Sequence, residues 1–135
     1  MNFLNSLTSY SDWGLLALRL AIGAVFVVHG KGKMGMWKMK PNGQMKAPMT
    51  SMMKLLSVAE PLGGIALAAG FLTQLAALGL GVIMLGALYF KMKVWKMAFK
   101  ADNATGWEFD LVLLAGCLAL LTSGAGAYSL DQWLR

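Results

Sequence analysis

Charge is scarce in this sequence, and so are the residues that most redox and metal centres require. Asp, Glu, Lys and Arg make up 13% of its 135 residues, well below the ~25% of an average soluble domain. The single cysteine, Cys117, excludes paired-thiol chemistry of the quinone-linked disulfide type; in the middle of an apolar run it reads as a small buried residue. The single histidine, His29, excludes a bis-histidine haem within the chain and leaves a zinc site short of ligands. Residues 1–12 hold no Lys or Arg. The first apolar stretch is also too long for a signal core and shows no clear cleavage site, so it reads as a retained membrane helix.

Hydrophobic residues, by contrast, reach 58%, and they are segregated from the charges. Four nearly uncharged segments, at about 13–30, 55–73, 74–90 and 108–128, each approach the ~20 residues a helix needs to cross ~30 Å of hydrocarbon. In lipid every backbone polar group must be bonded within its segment, which leaves helices as the open-ended solution. Strands of a membrane barrel would instead alternate over ~10-residue stretches. The expectation is an all-α, integral-membrane four-helix bundle forming one domain over residues 1–135. The net charge of +6 does not point to nucleic acid, because the basic residues sit within a few positions of the apolar ends, where anionic headgroups lie.

Orientation follows from lysine placement. Lys31, Lys33, Lys38, Lys40, Lys46 and Lys54 surround the first long connection, and Lys91, Lys93, Lys96 and Lys100 the second. The turn near Thr73 and Gln74 has none, and the C-terminal tail has Arg135 alone. The positive-inside rule places both basic loops in the cytoplasm and both termini outside, in a multi-pass protein of the cytoplasmic membrane. Trp13, Trp37, Trp95, Trp107 and Trp133 fall near segment ends, as an aromatic belt requires.

The polar residues inside apolar segments carry the functional information. A charge deep in a bilayer costs ~2.5–3.5 kcal/mol on insertion scales, so such groups face the bundle interior and pair. Arg19 and Glu60, on neighbouring antiparallel helices, are expected at similar depth and predicted to form a structural ion pair. His29 and Glu108 are expected at nearly one level, with Asp110, Lys31 and Lys33 close by. One reading of this set is a salt-bridge network that fixes helix register. The other is a polar pocket for a quinone headgroup, or a short proton path, built from His29, Glu60 and Glu108. Pro61 predicts a kink or a freed carbonyl in the second helix. The helix glycines read as packing contacts. Met34, Met36, Met39, Met45, Met49, Met52 and Met53 crowd the first loop. Thioethers bind Cu(I), but the interleaved lysines would repel a cation, so an amphipathic segment on the bilayer or a docking surface is the simpler reading.

Several residues together resemble the DoxX/DoxD family of small four-helix membrane proteins. Arg19-Leu20, Gly23, Phe26, His29-Gly30 and Lys33 resemble its first helix. Glu60-Pro61-Leu62-Gly63-Gly64 and Gly70-Phe71-Leu72-Thr73 resemble its second helix and turn. Gly106-Trp107-Glu108-Phe109 and the closing run from Gly124 to Ser129-Leu130-Asp131 are similar to its fourth helix and C-terminal motif. The resemblance implies membership in respiratory or redox membrane assemblies, including thiosulfate:quinone oxidoreductase, and points to Arg19, His29, Glu60, Glu108 and Asp131. Two function classes follow. One is a small accessory subunit that stabilises a larger membrane complex and is not catalytic alone. The other is a quinone-interacting component of an oxidoreductase, with electrons supplied by a partner subunit. The sequence favours the first because the chain carries no electron carrier of its own, and no cofactor beyond a quinone is expected. A small-solute transporter or channel is weaker, because so short a chain would have to oligomerise to form a path.

Overall fold

The computed structural model describes residues 2–38, 40 and 47–135, with no strand among them. Four long helices dominate: α1 (Ser11–Lys33), α2 (Ala47–Ala69), α3 (Thr73–Tyr89) and α4 (Trp107–Ser123). Short helical turns lie at Asn2–Ser6, Leu7–Tyr10, Met34–Lys38 and Leu130–Trp133, and α3 runs on into a π-helical turn at Phe90–Val94. Three helical stretches, Phe3–Lys38, Ala47–Ala69 and Thr73–Val94, are long and apolar enough to cross a membrane. The fourth helix has 17 residues, a rise of about 25 Å.

The helices do not stop where the apolar runs stop. α1 continues through Lys31 and Lys33 in its last turn, where cations suit the negative end of the helix dipole. α2 begins at Ala47 rather than near 55, so Met49, Met52, Met53 and Lys54 are helical. α4 ends early because Gly124 turns the chain with φ 76°, a left-handed conformation that glycine adopts without a Cβ clash. Met39, Met45 and Lys46 of the Met- and Lys-rich loop lie outside the described residues.

The bundle is built as two hairpins, α1 against α2 and α3 against α4. The first crossing is set by small residues. A Cβ on Gly23 would collide with the carbonyl oxygen of Gly64, and one on Gly64 with that of Gly23. Gly30 lies directly on the Pro61 ring. Pro61 has no N–H to donate to the Ser57 carbonyl, the partner it would have in an uninterrupted helix. The buried Ser57 hydroxyl donates to Lys54 O (2.6 Å) and accepts from Trp37 Nε1 (2.8 Å), tying the turn after α1 to α2. Phe26, Leu67, Leu80, Leu113, Cys117 and Leu120 form the buried core. Leu62, Ile65, Val82, Leu85, Val112 and Leu118 stay exposed, an apolar outer surface too extensive for water.

The α2–α3 turn shows how the far end is closed. Gly70 (φ 69°) and Phe71 donate to Leu67 O (3.0 Å) and Ala66 O (2.9 Å), the paired bonds of a Schellman ending. Leu72 then takes φ 47°, unusual for a residue with a side chain. It has no side-chain oxygen to cap α3, and Asp131 supplies one: its carboxylate accepts from Leu72 N (2.7 Å) and Thr73 N (2.8 Å), while its own N–H donates to Gly70 O (2.8 Å). Desolvation pushes the Asp131 carboxyl up, but these backbone donors and the positive charge of Arg135 outweigh it and hold the carboxyl below its ordinary value. The folded state therefore binds that proton less tightly than the unfolded chain does. The stabilisation is complete above the ordinary aspartate range, about pH 3.9, and is lost as pH falls through the lowered folded value. In a detergent acid titration followed by near-UV circular dichroism, Asp131→Asn is expected to be less stable than the parent at neutral pH. The difference should vanish at the acid end.

Candidate functional site

The α1–α2 register decides where the buried charges meet, and it differs from the sequence expectation. Arg19 and Glu60 do not pair. Because Gly30 sits on Pro61 and Gly23 on Gly64, Glu60 lies opposite the last turn of α1, where Lys33 Nζ meets its Oε1 at 2.5 Å. Arg19 lies near the other end, wholly buried, donating through Nη2 to Tyr128 O and through Nη1 to Ala68 O (3.5 Å). Ala68 is in the final turn of α2, where helix carbonyls lack intrahelical partners. Carbonyls rather than a carboxylate thus partner the two terminal nitrogens of the guanidinium, while its Nε has no hydrogen-bond partner among the described residues. The expected depths were set by the edges of the apolar runs, whereas α1 extends further and carries Lys33 to the level of Glu60.

At the lysine-rich end the two hairpins enclose a cavity of about 400 Å³. His29, Lys33, Glu60, Lys91, Trp95 and Asp110 line it, with Met52, Met53 and Met84 among its apolar walls. Glu60 is 1% exposed and Asp110 4%. Glu60 Oε2 is buried with no hydrogen-bond partner among the described residues. Lys91 reaches inward from the π-turn, where Trp95 N bonds to Phe90 O (2.8 Å). Such one-turn π segments occur often at functional sites. Its Nζ meets Asp110 Oδ2 at 2.6 Å and also donates to Thr105 O (3.2 Å) and Gly106 O (3.3 Å). These bonds fix the entry to α4. The His29 ring stacks on Phe109 with centroids 5.1 Å apart.

Of the three residues expected around a headgroup, His29 and Glu60 line this cavity and Glu108 does not. The Glu108 carboxyl packs beside Gly106 instead, and its Oε2 is buried without a hydrogen-bond partner among the described residues. Sequence reasoning set Lys33 close to His29 but left it out of the headgroup set, and it counted Lys91 only as a loop charge. Lys33 carried a usable signal, since it stands four residues from His29 and so on the same helix face. Lys91 carried none, because its direction depends on the π-turn.

Ser129, Leu130 and Asp131 belong to the opposite end of the bundle. Ser129 Oγ donates to Gly126 O (2.7 Å) and accepts from Gln132 N (3.2 Å), Leu130 is exposed, and Asp131 caps α3. Asp12 completes this closure by accepting from Ala127 N (2.8 Å). The arrangement holds the C-terminal segment in place and shares no residue with the cavity.

Residues 14–92 match the family model described as DoxX. The matched stretch runs from the first turn of α1 through α2 and α3 and ends before α4 and the C-terminal segment. Along nearly its whole length the chain is similar to a Haemophilus influenzae protein described as uncharacterized, with 31% identity over 129 residues covering 96% of each chain. No solved structure matches the chain.

Proposed function

We propose that the chain, which belongs to the DoxX family and is a membrane protein, acts as a quinone-interacting component of a membrane oxidoreductase. The observation that carries this reading is the cavity: about 400 Å³, walled partly by Met and aromatic side chains and partly by the Lys33–Glu60 and Lys91–Asp110 pairs. Small-molecule sites are typically ~300–1,000 Å³ and mostly apolar, with a few placed polar groups. A quinone supplies two-electron chemistry coupled to proton uptake. His29 and Lys33 have the donors to hold a headgroup oxygen, and Glu60 is the buried carboxylate placed to exchange a proton with it. One histidine and one cysteine give these residues no ligand set for an electron carrier, so the electrons come from a partner subunit.

The test uses protein purified in mild detergent and a short-tailed benzoquinone. Saturable quenching of tryptophan emission is expected, reduced in Trp95→Phe because that ring lines the cavity. His29→Gln should leave the fold intact and weaken binding by about tenfold, the scale of one lost hydrogen bond. If no quinone binds or copurifies and a stoichiometric protein partner does, the accessory-subunit reading replaces this one.

The same proposal includes four membrane spans, with α4 as the fourth, and both termini outside the cytoplasmic membrane. Lys33 and Lys91 line a single cavity, which puts both basic connections at one end and fits the lysine asymmetry. A reporter fused after Arg135 should be active only on the outer side. Cytoplasmic activity would reverse the orientation.

A further inference from the structure

We infer that the cavity recognises the reduced, hydroxyl-bearing form of its headgroup in preference to the dione, with Glu60 Oε2 accepting the ligand O–H and Lys33 Nζ donating to the same ligand oxygen. This rests on the reading of the cavity as a quinone site and adds which redox form the site prefers. Glu60 is 1% exposed, and its Oε1 is taken by Lys33 while Oε2 has no partner among the described residues. A buried carboxylate oxygen left without a donor is among the costliest polar groups to leave unsatisfied, and a ligand that donates to it recovers that cost.

A dione offers only acceptors on its oxygens and would set lone pairs against Oε2. A phenolic hydroxyl both donates and accepts, which matches an open carboxylate oxygen beside an ammonium. Lys33 has donors to spare, because Glu60 is its one acceptor among the described residues and an ammonium carries three N–H groups. Lys91 does not, since Asp110, Thr105 and Gly106 occupy it. Recognition is therefore asymmetric, with the hydroxyl held on the Lys33–Glu60 side and the Lys91 side serving as a fixed wall.

Isothermal titration calorimetry of the detergent-purified protein, held anaerobic, tests this with three probes: a short-tailed benzoquinone, its hydroquinone, and the dimethyl ether of that hydroquinone. The hydroquinone should bind about tenfold more tightly than either of the others. Glu60→Gln keeps a carbonyl for Lys33 but presents an N–H₂ where Oε2 stood, so the dione should then bind more tightly than the hydroquinone. Equal or tighter binding of the dione by the parent protein overturns the inference and leaves the quinone site standing. Binding of none of the three overturns both. If Glu60→Gln does not fold, the parent's ranking of hydroquinone against its dimethyl ether decides, because the ether keeps the ring and the oxygens but has no hydrogen to give.

Discussion

Replacing Lys33 with Met should destabilise the folded bundle by about 3–5 kcal/mol, the usual cost of stripping the partner from a buried ion, and adding Glu60→Leu should recover most of that loss. The two partners are not equivalent. Glu60 is 1% exposed and has nowhere to turn, whereas the Lys33 side chain is 25% exposed and can swing its ammonium toward water on a flexible stem. Glu60→Leu alone should therefore be the milder single variant. Unfolding in mixed detergent gives all three values, and the coupling energy of the cycle reports the pair directly. Arg19 provides the control. It lies near the opposite end of the bundle, bonded to Ala68 O and Tyr128 O, so Arg19→Met combined with Glu60→Leu should be additive within about 0.5 kcal/mol. Strong coupling between Arg19 and Glu60, with none between Lys33 and Glu60, would mean that α1 and α2 are offset from the register in which Gly23 meets Gly64 and Gly30 meets Pro61.

That cycle also marks the boundary between what the sequence reveals and what it does not. The helical class was legible because runs of apolar residues separated by clustered lysines have few physical solutions. Burial of Arg19, Glu60 and Asp110 was legible from cost alone, since charges inside apolar segments must turn inward. Their partners were not. Pairing depends on helix register, which is set by where Gly23, Gly30, Gly64 and Pro61 touch, and hydropathy edges misplace that by a turn or more. Lys91 illustrates a different limit. Its inward direction comes from a π-turn, and nothing in Phe90-Lys91-Met92-Lys93-Val94 distinguishes that turn from an ordinary helix end. Ser129-Leu130-Asp131 stood out by resemblance, yet its capping of a helix nearly sixty residues away becomes visible only once the chain is folded.

Gly64→Leu should be strongly damaging, costing about 3 kcal/mol or more through overpacking, while Gly79→Leu should be close to neutral. Both changes place the same helix-favouring, lipid-compatible side chain on a long helix, so propensity and membrane insertion nearly cancel between them. What differs is the space. A Cβ at Gly64 would strike the Gly23 carbonyl oxygen and crowd Phe26, and both obstacles belong to a packed neighbouring helix. A Cβ at Gly79 meets nothing within 4 Å, on a face that is exposed. Small residues at a helix crossing are the main means by which two backbones approach in lipid, where no hydrophobic drive holds helices together. Forcing α1 and α2 apart at Gly64 also withdraws Lys33 from Glu60, because the same crossing sets their level. Gly64→Leu protein that still accumulates should thus lose the proposed quinone binding along with stability, and Gly79→Leu should lose neither. Equal behaviour of the two variants in unfolding and in binding would show that the α1–α2 crossing does not run through Gly23 and Gly64.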